Sequence, residues 1–268
     1  MSAVLAPTSM YSTAISSMSN GRFLRAYLIE AKYEFLAALR APAFAVPFLI
    51  LPAAVYLFFG VLIAGSSKDA PPHIADFLLS GFAVFAVLGP ALFGCGVGLA
   101  LERESGLLRL KRAQPAPTGA HLVAKMLMAM AFAAIAAGSV LIAAVFAGKI
   151  GLSATQLLIM SVVFVAGSIP FSAIGLFIAT HTSGNAAPGF ANLVYFPMLY
   201  LSGLFIPLPK TLQHWTVIWP TFHLDQLALA AAGVKQYSFV NPLISAAVLL
   251  ATTVVFGGLA IRQLQRKG

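Results

Sequence analysis

Apolar residues run through this chain in long blocks separated by short charged ones. Residues 41–67, 77–101, 126–148 and 242–261 contain no Asp, Glu, Lys or Arg, and neither does the whole of 150–209. A helix needs about 20 apolar residues to cross the hydrocarbon of a bilayer, so four of these blocks are one span each. The longest holds two, because Thr180–Pro188 (THTSGNAAP) interrupts it with polar residues, Gly and Pro. The pattern predicts an all-α integral membrane protein with six transmembrane helices, at 43–65, 77–100, 122–147, 155–179, 189–206 and 242–262.

Two segments outside these spans are also patterned. Along 22–40, Leu24, Tyr27, Leu28, Ala31, Phe35 and Leu39 share one arc at about 100° per residue, with Arg22, Arg25, Lys32 and Arg40 on one flank and Glu30 and Glu34 on the other. An amphipathic helix of this kind lies in the membrane interface, its basic residues near anionic lipid. The other reading is a helix packed on a partner. Residues 207–241 carry Trp215, Trp219, Phe222 and several leucines, punctuated by Pro207, Pro209 and Pro220. So long a segment rarely lacks structure of its own. Short re-entrant helices are expected, with Trp215 and Trp219 at headgroup level. Within span one, Pro42, Pro47 and Pro52 predict a kink or a late start. Gly81, Gly89, Gly94, Gly96, Gly98, Gly138, Gly167 and Gly175 are read as points of close helix approach. Residues 1–21, rich in Ser, Thr and Met, read as a flexible cytoplasmic tail before a single transmembrane domain, 22–268.

Composition strengthens the assignment: 60% of the 268 residues are hydrophobic and 9% charged, against about 25% charged in a soluble domain. The net charge of +9 is explained by topology and does not require nucleic acid. With both termini cytoplasmic, Arg22, Arg25, Lys32, Arg40, Arg103, Arg109, Lys111, Arg112, Lys125, Arg262, Arg266 and Lys267 lie inside and Lys68, Lys149, Lys210 and Lys235 outside. This is the asymmetry of a cytoplasmic membrane protein. The single Cys95, within an apolar block, reads as a buried core residue.

No G-x-x-x-x-G-K-[ST] loop is present, and the five histidines are scattered with no metal spacing. His223 and Asp225 do not share a helical face and read as polar loop residues. No charge lies near the middle of a span, and Lys125 and Lys149 sit at span ends where snorkelling suffices. That argues against an ion-coupled secondary transporter, which places ionisable groups at bilayer depth. The lack of acidic or His clusters argues against a membrane enzyme or assembly factor. A conduit driven by another subunit is left.

The loop after span two runs Leu101-Glu102-Arg103-Glu104-Ser105-Gly106-Leu107-Leu108-Arg109-Leu110-Lys111-Arg112-Ala113-Gln114-Pro115. Gly106 permits a turn and Pro115 stops the short basic helix that follows. Taken alone it is a charged element projecting toward a soluble partner. The stretch resembles the E-R-E-x-G-x-L-x-x-L-x-x-x-P signature of ABC-2 type permeases, the membrane subunits of one class of ATP-binding-cassette exporters, with Glu102, Arg103, Glu104, Gly106 and Pro115 matching. Tyr200–Leu208 and Trp219–Leu224 resemble that family's second landmark, and the order of elements from residue 22 onward matches too. Leu108-Arg109 stands where many members carry an acidic residue, and Trp219-Pro220 replaces the common Asn-Pro. The resemblance implies a transporter of two permeases and two ATPase subunits, with ATP and Mg bound by the ATPase and no cofactor or catalytic residue in this chain. Glu102–Pro115 would be the coupling helix docking on the ATPase. The second permease copy would make a homodimer, and the cargo would be a drug, lipid or lipid-linked saccharide. Polar groups within the spans, Ser80, Ser168, Ser172, Asn192 and Ser202, are the candidates for its translocation pathway.

Overall fold

The structure is a computed structural model that describes residues 20–64, 71, 73–112, 119–148, 150–206 and 210–267. Pro115, Lys68, Lys149 and residues 1–19 of the expected tail lie outside the described residues. All regular structure among the described residues is helical. α1 (Asn20–Leu39) is followed by α2 (Pro42–Val55), which continues into a wide π-helical stretch, Tyr56–Ala64. α3 (Ile74–Gly89), a π-helical turn (Pro90–Gly94) and α4 (Val97–Glu104) form one rod. α5 (Leu107–Arg112) is a short helix. α6 (Ala120–Ala147) and α7 (Ala154–His181) are long, and α8 (Ala187–Tyr200) is not. α9 (Lys210–Thr216), α10 (Pro220–Ala231) and α11 (Pro242–Lys267) complete the chain.

Five of these stretches are long and apolar enough to cross a membrane: Pro42–Leu62, Ile74–Glu104, Ala120–Ala147, Ala154–His181 and Pro242–Arg266. Each matches an expected span, and the break at Thr180–Pro188 falls between α7 and α8 as its composition requires. The remaining expected span, 189–206, is helical only to Tyr200. Its 14 residues rise about 21 Å, short of the ~30 Å of hydrocarbon. Pro197 lies within that helix, and beyond it Leu201–Ile206 forms turns, with Gly203 at φ 75°. Span one does not begin late: Pro42 occupies the first turn of α2, where its missing N–H is harmless. Pro47 and Pro52 are accommodated inside the helix, and the π-helical stretch begins just after them.

The α3–α4 rod is the buried centre, with Leu79, Val84, Leu88, Leu92 and Leu99 almost wholly enclosed. α7 packs against both the rod and α11, and α6 packs against α1 and α3. Small residues allow a close crossing where Gly96 of the rod meets Gly175 of α7: a Cβ at 175 would lie 2.8 Å from the Leu92 carbonyl oxygen and 3.0 Å from the Gly96 nitrogen. Gly138 differs, since a Cβ there would meet nothing within 4 Å, so close approach is not its role. Cys95 is fully buried, as expected. In α10, His223 and Asp225 are buried helix residues rather than loop residues: the His223 ring is bonded to Ser245 of α11 at 3.2 Å and to the Val217 carbonyl at 2.8 Å.

Candidate functional site

The three charged residues at the end of the rod diverge, because successive helical positions point about 100° apart. Glu102 turns toward α6, where its Oε1 lies 2.7 Å from Lys125 Nζ. Arg103 turns the other way and donates to the Thr182 carbonyl at the end of α7. Glu104 lies against Gly184 in the turn between α7 and α8, close enough that a Cβ at 184 would overlap its carboxylate. One helical turn therefore touches two other parts of the fold through three side chains.

Lys125 is the centre of the arrangement. Its side chain is 3% exposed and sits between Glu102 and Glu34 of α1, the latter at 2.9 Å. The snorkelling expected of Lys125 is replaced by a buried ion pair. A lysine near the start of a long apolar helix can be enclosed only if carboxylates meet it, and here two do. Lys111 of α5 closes the network: it pairs with Glu34, lies 3.1 Å from Glu30 and is 3.9 Å from Glu102. Three carboxylates and two ammonium groups thus tie together α1, α4, α5 and α6.

The electrostatics follow from this geometry. Burial alone would push the Glu34 carboxyl up, but Lys125 and Lys111 outweigh it and hold the group below the usual carboxylate range. Burial would likewise push the Lys111 ammonium down, but Glu34, Glu102 and Glu30 outweigh it and hold it above its usual value. Both groups therefore stay charged at neutral pH.

Gly106 takes φ +79°, with nothing within 4 Å of where a Cβ would stand. It is needed for the backbone turn and not for space. Ser105 Oγ donates to the Glu102 carbonyl at 3.2 Å, and the Leu110 N–H reaches the Gly106 carbonyl at 3.3 Å as α5 begins. Lys111 faces inward from α5 while Leu110 is 67% exposed. The short helix is anchored by one side and open on the other.

The amphipathic arc of α1 is split between two environments. Phe35 packs on Phe132 of α6, ring centroids 5.3 Å apart, while Leu24, Leu28 and Leu39 remain exposed. Arg25, Lys32 and Arg40 are exposed along the same helix, which also carries Arg22. α1 is therefore both packed on the helical body and left with an outward apolar and basic surface.

The hydroxyls and amide proposed from sequence for a pathway are not gathered at one place. Ser168 and Ser172 are buried in α7 and donate to the Val165 and Ser168 carbonyls, at 2.7 and 2.9 Å. Ser202 donates to the Met198 carbonyl at 2.6 Å. Ser80 is buried in α3, and Asn192 on α8 is half-buried.

Sequence reasoning found the charged turn and its glycine but missed Glu30, Glu34 and Lys125 as members of the same site. Glu34 and Lys125 are 91 residues apart, beyond any local periodicity. The available signal was the i, i+4 pair Glu30/Glu34 on a helix otherwise basic, together with one Lys at the edge of a long uncharged block.

The ABC-2 type transporter family matches residues 25–224, a region that contains every member of the ion-pair network. A Bacillus subtilis (strain 168) protein named as a transport permease, YvfS, is 25% identical over 193 residues, covering 71% of this chain and 78% of that protein. A multi-pass chain with these spans and this match over about three quarters of its length belongs to the ABC-2 type transporter family.

Proposed function

We propose that this chain is the permease subunit of an ATP-driven exporter. It pairs with a separate ATPase subunit and with a second copy of itself to move a hydrophobic or amphipathic cargo across the cytoplasmic membrane. The observation that carries the reading is the ion-pair network at the end of the α3–α4 rod. A short helix exposed on one side is joined through Lys111 and Lys125 to α1 and to two long apolar helices. A push on α5 is therefore transmitted to the helical body rather than absorbed in a loose loop. In this reading α5 is the coupling helix, and the exposed Leu107 and Leu110 face the ATPase. ATP and Mg are bound there, and this chain supplies no catalytic group.

The remaining features fit the same scheme. The termini and α5 are cytoplasmic by the Lys/Arg distribution. α1 lies along the inner interface with its arginines toward anionic headgroups. The short α8 and the α9–α10 pair form a sixth crossing with re-entrant helices. The pathway lies between two permeases and includes Asn192, with Ser168, Ser172 and Ser202 supporting its wall from behind.

The test is co-expression with the ATPase subunit of the same transporter, followed by purification. Wild-type permease should retain the ATPase at two copies per permease pair, and Leu110→Asp should lose it while keeping its own melting temperature. Leu110 touches none of the network, so its loss of assembly reports docking alone. If the Leu110→Asp permease holds the ATPase as firmly as wild type and transports cargo at the same rate, α5 is not the coupling helix.

A further inference from the structure

The far end of the same rod from the charge network holds a second polar feature. Where the start of α3, the turn after α8, α10 and the turn before α11 meet, there is a cavity of about 220 Å³. Asp225 of α10 lines it and is 2% exposed. Its Oδ1 has no hydrogen-bond partner, and no Lys, Arg or His forms an ion pair with it among the described residues. The Ser80 hydroxyl of α3 faces it without reaching hydrogen-bond geometry. The nearby His223 is occupied by Ser245 and the Val217 carbonyl.

A buried carboxylate without a partner is costly, and the surrounding fold is built to hold it in place. Gln226 fastens the turn over the cavity: its Nε2 donates to the Tyr237 carbonyl at 2.9 Å, and its Oε1 accepts from the Phe239 N–H at 3.0 Å. Four aromatic rings share the lining with Ser202, Thr216, Gln226 and Gln236. The Phe77 and Tyr237 rings lie 4.9 Å apart and the Phe222 and Phe239 rings 5.7 Å apart, both pairs tilted. Asp225 is the one carboxylate among the described lining residues, and the Ser202 hydroxyl and Gln226 Oε1 are already bonded within the fold, which leaves few oxygen ligands for a metal cation. A carboxylate among aromatic rings suits a positive charge spread over alkyl groups, which the faces of those rings also attract.

We propose that this cavity binds an organic ammonium group, with Asp225 as its counter-charge and Phe77, Tyr237, Phe222 and Phe239 as its walls. The ammonium is that of a free amine or of a lipid headgroup, since both present the same cation. Binding at this site does not depend on the exporter reading and stands or falls separately from it.

The test uses the full chain in nanodiscs of phosphatidylglycerol, which carries no ammonium. Choline and its uncharged carbon analogue, 3,3-dimethyl-1-butanol, are titrated calorimetrically. Choline should bind at least about tenfold tighter than the analogue. Asp225→Asn, which keeps the shape and removes the charge, should bring the two to parity without lowering the melting temperature. Discs that also contain phosphatidylcholine separate the sources: weaker apparent choline binding assigns the cation to a lipid headgroup, and unchanged binding to a free amine. Equal binding of choline and its analogue by the wild-type chain, or no choline binding at all, overturns the proposal whatever the variant does. Wild-type affinity in Asp225→Asn overturns it as well.

Discussion

Lys125 illustrates how much of this site depends on partners distant in sequence. It is enclosed because Glu34 and Glu102 meet it, at 2.9 and 2.7 Å, and removing one member of a buried ion pair typically costs about 3–5 kcal/mol. Lys125→Met should therefore lower the melting temperature markedly, and adding Glu102→Gln should recover part of the loss, because Glu34 still pairs with Lys111 whereas Glu102 keeps only a 3.9 Å contact with it. Thermal unfolding of both variants in detergent checks this, and a double variant no better than the single one refutes the pairing. The pH dependence follows from the directions already given. Glu34 is held below its usual value, so its contribution is present above the ordinary carboxylate range near pH ~4.3 and is lost as pH falls through its folded value. Lys111 is held above its usual value, so its contribution is complete below about pH 10.4 and is lost only above that. Between those limits the contributions of Glu34 and Lys111 should not change with pH. The Glu102-Arg103-Glu104-Gly106 turn was legible in the sequence because its signal is local. The network was not, because Glu34 read as the flank of an amphipathic arc and Lys125 as a span end. Nor do Glu102 substitutions leave the fold untouched, as a loop position would, since Lys125 depends on it. Gly106 is the cleaner probe. Gly106→Val meets no neighbour yet must adopt φ +79°, costing about 1–3 kcal/mol. Gly106→Asn, a residue that tolerates this region, should retain most of the stability in the same melt.

Among the elements, the long helices were read correctly because a bilayer imposes length and apolarity together. The missing charges in the sequence blocks mark Ile74–Glu104, Ala120–Ala147 and Ala154–His181 without further information. What escaped were features set by packing. The π-helical stretch at Tyr56–Ala64 has no sequence signature of its own. The end of α8 at Tyr200 depends on Pro197 and the Gly203 turn, which hydropathy does not see. Ser168 and Ser172, read as pathway candidates for their polarity, donate to carbonyls of their own helix, a local option that serine always has. The glycines divide in the same way. Gly175→Ala would press a methyl group against Leu92 and Gly96 backbone atoms, and overpacking of this kind costs about 1–3 kcal/mol. Gly138 has open space around it, so Gly138→Ala should instead stabilise α6 by about 0.5–1 kcal/mol through helix propensity alone. Opposite shifts in melting temperature for these two variants are expected. A stabilised Gly175→Ala would show that the rod and α7 do not cross as closely as described.

At the scale of the whole molecule, the two polar features sit at opposite ends of one buried rod, Glu102 at one end and Phe77, beside Asp225, at the other. In a six-crossing arrangement with cytoplasmic termini these ends fall on opposite sides of the membrane, so orientation decides which of them can meet ATP. On the proposed orientation, drawn from the Lys/Arg distribution, the charge network lies inside. That assignment is open to a direct check, because Ser105 and Gln236 are both exposed and flank the two ends. In a chain with Cys95 replaced by Ala, single cysteines at Ser105 and Gln236 should differ sharply toward a membrane-impermeant maleimide added to intact cells. Gln236→Cys should label at once, and Ser105→Cys only after the membrane is permeabilised. The fully buried Cys95 contributes no background once removed, and its replacement by Ala, another small residue, is a mild change in the core. Labelling of Ser105→Cys from outside would invert the molecule, place α5 away from any cytoplasmic ATPase, and remove the physical basis for coupling through the Lys125 network. Labelling of Gln236→Cys only after permeabilisation would leave the coupling end in place but set the turn before α11 on the inner side, against its position beside Phe77 at the far end of the rod. The short α8 would then turn back within the membrane rather than complete a sixth crossing.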